Sequence, residues 1–185
     1  MALTESNMLP LMTEAPSFEL PDVNTNELVS FYDVRGENGT VVMFICNHCP
    51  FVIHVNHQLV DFANEYQKKG IGFVAISSND VVNYPEDTPD KMAIVSKVLK
   101  YPFPYLYDES QEVAKAYDAA CTPDIYLFNK DAQLHYRGRI DGSRPGNDLP
   151  QNGDDLHHAI KNMLEGNPPV EKQYPSAGCN IKWKK

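Results

Sequence analysis

Positive charge is scarce in this chain. Sixteen Lys and Arg face 25 Asp and Glu, for a net charge of −9. That balance argues against nonspecific binding to nucleic acid or to an anionic membrane. The basic end, Lys182-Trp183-Lys184-Lys185, is too short to reverse it. No apolar run approaches membrane-spanning length, and the segment Met1–Asn7 lacks the basic-then-apolar pattern of a secretory leader. The expectation is a cytoplasmic protein with neither membrane nor nucleic acid as partner. There is no Gly-rich phosphate loop, no internal repeat and no low-complexity tract, so no nucleotide, flavin or metal cofactor is implied.

Cysteine is sparse as well. The four are Cys46, Cys49, Cys121 and Cys179, and only the first two form a Cys-x-x-Cys pair. In a reducing compartment such cysteines are thiols, redox-active or ligating, rather than a structural disulfide framework. What remains is ordinary for a soluble globular protein. With 185 residues, 42% hydrophobic and 22% charged, the chain suits one domain with an ample core. That domain is expected to span 1–185, with a core of about 15–165 and a proline-bearing tail over 166–185.

The pattern of apolar residues orders the elements. Ala15–Asp22 and Glu27–Tyr32 read as two short strands about a turn at Asn24–Asn26. Thr40–Ile45 is short, apolar and partly β-branched, which suits a central strand. Phe51–Tyr66 carries Val52, Val55, Leu59, Phe62 and Tyr66 at steps of three and four, the signature of a helix with one apolar face. Lys68-Lys69-Gly70 supplies a basic last turn and a glycine cap. Ile71–Ile76 is a second apolar strand, so strand, helix and strand form a parallel crossover. A polar loop over Asn79–Pro89 is expected on the surface. Helices follow over Asp90–Lys100 and Gln111–Tyr117, with the short extended piece Phe103–Tyr107 between them. Asp124–Phe128 and Leu134–Arg139 flank a hairpin turn. A long loop over Asp141–Gly153 leads to a final helix, Asp154–Glu165, with Asp154 or Asn152 as its cap.

Cys46-Asn47-His48-Cys49-Pro50 therefore sits at a strand-to-helix turn. There, unpaired backbone N–H groups and the helix dipole favour a thiolate. The bland alternatives are a buried structural pair and half of a zinc site, although zinc would need two more ligands and no second Cys-x-x-Cys exists. Thiol–disulfide exchange needs an exposed thiolate and a second thiol to attack the mixed disulfide. Cys46, at the helix entrance, is the expected nucleophile, and Cys49, one turn in, the resolving thiol. His48 lies between them, either a bystander or a source of positive charge that lowers the Cys46 pKa. Pro50 suits a helix start on positional grounds alone. His54 and His57 are read as surface or packed groups. Cys121 is either a small buried hydrophobe or an additional thiol beside the pair. Cys179 is either a tail contact or a distal thiol able to reach the site.

Four local signatures carry a resemblance over roughly residues 15–165: Ala15-Pro-Ser-Phe-Glu-Leu-Pro-Asp22, Cys46-Asn-His-Cys49, Phe103-Pro-Tyr-Leu-Tyr-Asp108 with Glu112-Val-Ala-Lys-Ala-Tyr117, and Cys121-Thr-Pro123. In these the chain resembles the peroxiredoxin-like (alkyl hydroperoxide reductase/thiol-specific antioxidant) branch of the thioredoxin superfamily. The resemblance implies an α/β thioredoxin-like fold, a central mixed β-sheet flanked by helices, with an N-terminal β-strand extension. It implies a cis-proline at Pro123 facing the cysteines, with the Thr122 backbone free to pair with an extended substrate. The implied activity is thiol–disulfide oxidoreduction through Cys46 and Cys49, with antioxidant relatives. The substrate would be a protein or small-molecule disulfide, and an external dithiol system would recycle the pair. Peroxiredoxins place their peroxidatic cysteine at the position of Cys49 and a Thr or Ser three residues earlier, where this chain has Cys46. Their proline falls here at Val42, and their arginine could be replaced only by Arg137, Arg139 or Arg144. Thiol peroxidase is therefore the alternative function and a metal-binding module the second.

Overall fold

The computed structural model describes residues 3–185. Met1 and Ala2, the first residues of the segment lacking a leader pattern, lie outside them. The N-terminal part holds β1 (Leu3–Glu5), β2 (Glu19–Pro21), β3 (Leu28–Ser30) and the one-turn α1 (Phe31–Val34). The central crossover is β4 (Gly39–Phe44), α2 (Pro50–Tyr66) and β5 (Ile71–Ser77), followed by α3 (Pro89–Leu99), β6 (Tyr105–Tyr107) and α4 (Glu112–Ala116). The C-terminal part holds β7 (Cys121–Thr122), β8 (Asp124–Asn129), β9 (Leu134–Gly138), α5 (Asp154–Leu164) and β10 (Ala177–Asn180). Among the described residues, no helix is long and apolar enough to cross a membrane.

The five-stranded sheet has the order β6-β5-β4-β8-β9. β4 pairs parallel with β5 and antiparallel with β8, and β9 closes the edge as a hairpin with β8. This is a mixed sheet with β4 at its centre, which is why Thr40–Ile45 reads as an unbroken apolar run. Alternation along β4 divides the core. Val41 and Met43 pack with Val52, Leu59 and Phe62 of α2 and with Leu156 and Ile160 of α5. Val42 and Phe44 face the opposite layer, made by Phe18, Leu20, Phe31, Ala114 and Tyr117. Each fully buried side chain of that size contributes about 1.5–3 kcal/mol, so both layers hold β4 in place and with it the turn that follows. α2 ends as its sequence implies, in a tight turn at Gln67–Lys69 with Gly70 in the left-handed region at φ 76°.

Three expectations need correction. The tail is part of the fold, because β10 lies between β1 and β7 in a second sheet, antiparallel to both. Backbone bonds zip it down further: Asp80 N–H donates to Lys182 O at 2.8 Å, and Ile181 N–H to Ala120 O at 3.1 Å. The polar loop Asn79–Pro89 is not simply surface, since Asn79, Asp80 and Asp87 are buried. The two ends of the loop hydrogen-bond inward, while residues 82–86 between them are exposed as expected. Finally, the N-cap position of α5 is Gly153, at φ 68°, rather than Asn152 or Asp154, while Asn152 Oδ1 accepts the Asp154 N–H at 3.2 Å from one residue further out. The Gly153 N–H donates to Asp141 Oδ2 at 2.8 Å.

Candidate active site

β4 ends at Phe44 under the two-layer core, and Ile45 N–H still donates to Ile76 O at 3.0 Å. The chain then turns through Cys46–Cys49 and enters α2 with Pro50 in its first turn. Cys49 is the residue that caps this helix, extended at φ −72° and ψ 121°. Both sulfurs are enclosed: Cys46 is 2% exposed and Cys49 0%. The Thr122–Pro123 loop closes over them, and its peptide bond is cis. Thr122 Oγ1 lies 3.4 Å from Cys46 Sγ, and the Thr122 carbonyl oxygen lies 3.2 Å from Cys49 Sγ.

The electrostatics of the two sulfurs differ, and not as expected. Hydrogen bonding from the Cys46 thiol, then from Cys179, then from the Val52 N–H inside the first turn of α2, holds the Cys49 pKa down to about 5 against the cost of burial. Cys46 moves the opposite way. Sharing its proton with Cys49, its burial and the nearby Asp87 carboxylate all push its pKa up. The Thr122 carbonyl would prefer a protonated Cys49, but one lone-pair contact does not outweigh the donors converging on that sulfur. The thiolate of the reduced pair thus belongs to Cys49, with Cys46 as its proton donor. The low pKa expected on Cys46 falls instead on Cys49, the sulfur that the Val52 N–H of α2 supports.

His48 is turned toward a carboxylate. Its Nδ1 sits 2.7 Å from Asp87 Oδ2, a contact too oblique for a straight N–H···O bond, and its ring stacks on Tyr84 at 5.7 Å. Asp87 is fully buried. It accepts from Asn47 N–H at 2.8 Å and from Asn79 Nδ2 at 2.7 Å. Strand β4 carries no carboxylate, and Asp87 brings one to the site from the short turn at Pro85–Asp87. Sequence reasoning missed it because that turn read as a solvated loop. Cys46, His48 and Asp87 offer ligand atoms within 4.8 Å of one another. Those residue types suit zinc, although Asp87 is already committed to three partners.

The third thiol at the site is Cys179, not Cys121. Cys179 Sγ lies 2.8 Å from Cys49 Sγ. Cys121 faces the other way along β7, its sulfur 3.6 Å from Pro123 O and 4.0 Å from Ser176 O. Burial and the neighbouring Asp124 raise its pKa and keep it a thiol. Thr122 is not open to an incoming strand either. It pairs with Cys179 in the β7–β10 ladder, so the chain's own strand occupies that edge.

His54 contacts Ser143 and Gln151 rather than sulfur. Two of the three arginines considered for a peroxidase site are engaged elsewhere. Arg137, fully buried, reaches Asp124 at 3.2 Å, and Arg139 reaches Asp155 at 2.6 Å. Arg144 lines a small cleft with Phe51, His54 and Pro123.

The profile of the AhpC/TSA family matches residues 11–137. The chain belongs to the AhpC/TSA family. A curated Mycobacterium tuberculosis protein named "putative peroxiredoxin" is 28% identical over 124 residues, 67% of this chain and 73% of that one. An uncharacterized conserved protein from Geobacillus kaustophilus, solved by crystallography, is 56% identical with a TM-score of 0.97, covering 100% of this chain and 97% of that one. The thioredoxin domain of a thiol-disulfide oxidoreductase from Bacteroides vulgatus is 18% identical with a TM-score of 0.65, covering 85% and 99%, and shares the fold. This AhpC/TSA protein is thus a thioredoxin-like enzyme of the peroxiredoxin-like branch with a thiol redox role.

Proposed function

We propose that the protein is a thiol–disulfide oxidoreductase whose redox centre is Cys46 and Cys49. The observation that carries this reading is the pair itself: two buried sulfurs at the N-terminus of α2, both in contact with Thr122 under the Thr122–Pro123 loop. Cys49 thiolate acts as the base for Cys46. It takes the Cys46 proton as the Cys46 sulfur attacks one sulfur of a substrate disulfide. The other substrate sulfur leaves as thiolate and takes up that proton. Cys49, again a thiolate, then attacks Cys46 Sγ and expels the remaining substrate thiolate, which is protonated by solvent. Two electrons pass to the substrate and a Cys46–Cys49 disulfide remains. The substrate class is a protein or small-molecule disulfide, and an external dithiol restores the pair. A cytoplasmic setting fits a protein that keeps other thiols reduced.

A second reading, thiol peroxidase, is favoured by one observation: the low pKa sits on Cys49, the peroxidatic position of the family's peroxiredoxins. Against it stand Cys46 in place of a hydroxyl residue and the engagement of Arg137 and Arg139 in ion pairs. The test runs disulfide reduction and peroxide consumption side by side with a thiol reductant. Cys46→Ser should abolish disulfide reduction. Fast peroxide turnover that survives Cys46→Ser and dies with Cys49→Ser would transfer the assignment to the peroxidase.

A further inference from the structure

We propose that Cys179 is a third member of the redox centre, taking over Cys49 from Cys46 so that the oxidised enzyme rests with a Cys49–Cys179 disulfide and a free Cys46. This rests on the Cys46–Cys49 exchange proposed above and extends it by one internal step.

Three features of the fold carry it. The first is contact: the Cys49 and Cys179 sulfurs, 130 positions apart in sequence, lie 2.8 Å apart, well inside ordinary sulfur–sulfur packing distance, so a bond needs only a small further approach. The second is placement. β10 pairs Cys179 directly opposite Thr122, the residue whose carbonyl oxygen touches Cys49 Sγ. The chain thus holds its own thiol on the edge that closes over the cysteine pair. The third is the local sequence. A side chain at Gly178 would collide with the Thr122 carbonyl oxygen, so only glycine lets β10 come this close to the cis-proline loop. Cys179 is 3% exposed, which keeps the exchange shielded from solvent thiols.

The step balances within the protein. The Cys179 sulfur attacks Cys49 Sγ of the Cys46–Cys49 disulfide. The Cys49–Cys179 bond forms, the Cys46–Cys49 bond breaks, and the Cys46 thiolate that leaves takes the proton given up by Cys179. No electron enters or departs. Oxidation of the pair also removes one of the influences that hold the Cys179 proton, while burial persists. In the reduced protein the Cys179 pKa is pushed up to about 12, by burial first and then by Cys49. Once Cys49 is in a disulfide its charge is gone, while the favourable influence of Lys182 on Cys179 remains.

Tryptic mapping of disulfides tests this directly. Cys46 and Cys49 share the peptide Gly36–Lys68, Cys121 lies in Ala116–Lys130 and Cys179 in Gln173–Lys182. The full-length protein is oxidised with excess oxidised glutathione, quenched in acid, alkylated and digested. The expected products are the internal disulfide of Gly36–Lys68 and its cross-link to Gln173–Lys182. The cross-link should become the sole disulfide in Cys46→Ala and vanish in Cys179→Ala. Absence of the cross-link from both the wild type and a folded Cys46→Ala variant, or a cross-link to Ala116–Lys130 in its place, overturns the proposal. Failure of the Cys46–Cys49 reading is separable: the internal disulfide would then be missing from Cys179→Ala, where nothing can displace it.

Discussion

Asp87 Oδ2 stands 2.7 Å from His48 Nδ1, so the residue between the two cysteines is held against a carboxylate that acts on Cys46. The carboxylate is fully buried and raises the Cys46 pKa. The imidazole lies against that carboxylate, so His48 reaches Cys46 by way of Asp87, a different route from direct contact of an imidazolium with a thiolate.

Opposite effects of two substitutions follow. In a Cys49→Ala background, Asp87→Asn should speed alkylation of Cys46 at neutral pH by roughly tenfold, equivalent to about 1.4 kcal/mol of charge–charge repulsion removed. His48→Ala should slow it, because the carboxylate loses the imidazole that lies against it. Alkylation rates read by peptide mass spectrometry decide between them. Rates that move together, or do not move, would remove both residues from the chemistry of Cys46. Asp87→Asn should also cost about 1–3 kcal/mol in unfolding free energy, since a buried acceptor of two hydrogen bonds is weakened.

The pH dependence is that of an acid held below its usual value. A depressed thiol is anionic above its folded pKa and neutral below it. With Cys49 at about 5, the thiolate signal of the reduced protein in the ultraviolet should persist at neutral pH and disappear on acidification through about 5. Disulfide exchange should fall over the same interval, because Cys46 loses its base. Cys46→Ala removes the largest cause of the depression and should move the midpoint upward. A wild-type midpoint near the ordinary thiol value of roughly 8.5 would contradict the assignment of charge to Cys49.

Much of the fold was legible because β4 and α2 carry clean periodicities. Val41 to Phe44 alternate between two apolar layers, and Val52, Val55, Leu59 and Phe62 recur on one helical face. The motif at Cys46–Cys49 followed from that placement. What escaped the sequence came from tertiary context. Asp87 is polar in a polar loop, and nothing local says that Asn47 and Asn79 will bury it. Cys179 lies in a short segment with Pro175 and Gly178, which reads as a tail. Its strand exists only because β1 and β7 stand on either side of it. The charge on Cys49 rather than Cys46 depends on which sulfur the first turn of α2 faces, and spacing alone does not settle that.

The ion pair of Arg137 with Asp124 gives a stability prediction independent of the cysteines. Both side chains are fully enclosed and lie 3.2 Å apart, with the guanidinium 4.7 Å from the Tyr126 ring and also donating to Asp118 O at 2.7 Å. Burial raises the Asp124 pKa to about 6, with Arg137 pulling it back. Arg137→Met leaves a buried carboxyl without its partner and should cost about 3–5 kcal/mol. Adding Asp124→Asn should recover part of that loss. Denaturant titration of the single and double variants measures the recovery. A double variant no more stable than Arg137→Met would mean that the guanidinium acts by packing rather than by charge.

Gly178→Ala isolates the geometry that brings Cys179 to the site. The added methyl would meet the Thr122 carbonyl oxygen and the ring of Pro123, so β10 must shift away from β7. Overpacking of this kind costs about 1–3 kcal/mol, which leaves most domains folded. The β4–α2 turn is built from the other sheet and should keep its shape. Cys46 and Cys49 should therefore still form their disulfide, while Cys179 loses contact with Cys49 and becomes open to alkylation in the native state. In the wild type Cys179 should resist the reagent, as its 3% exposure implies. Native-state alkylation followed by peptide mapping reads both thiols at once. If Gly178→Ala leaves Cys179 as protected as the wild type, the close approach of β10 does not depend on the missing side chain.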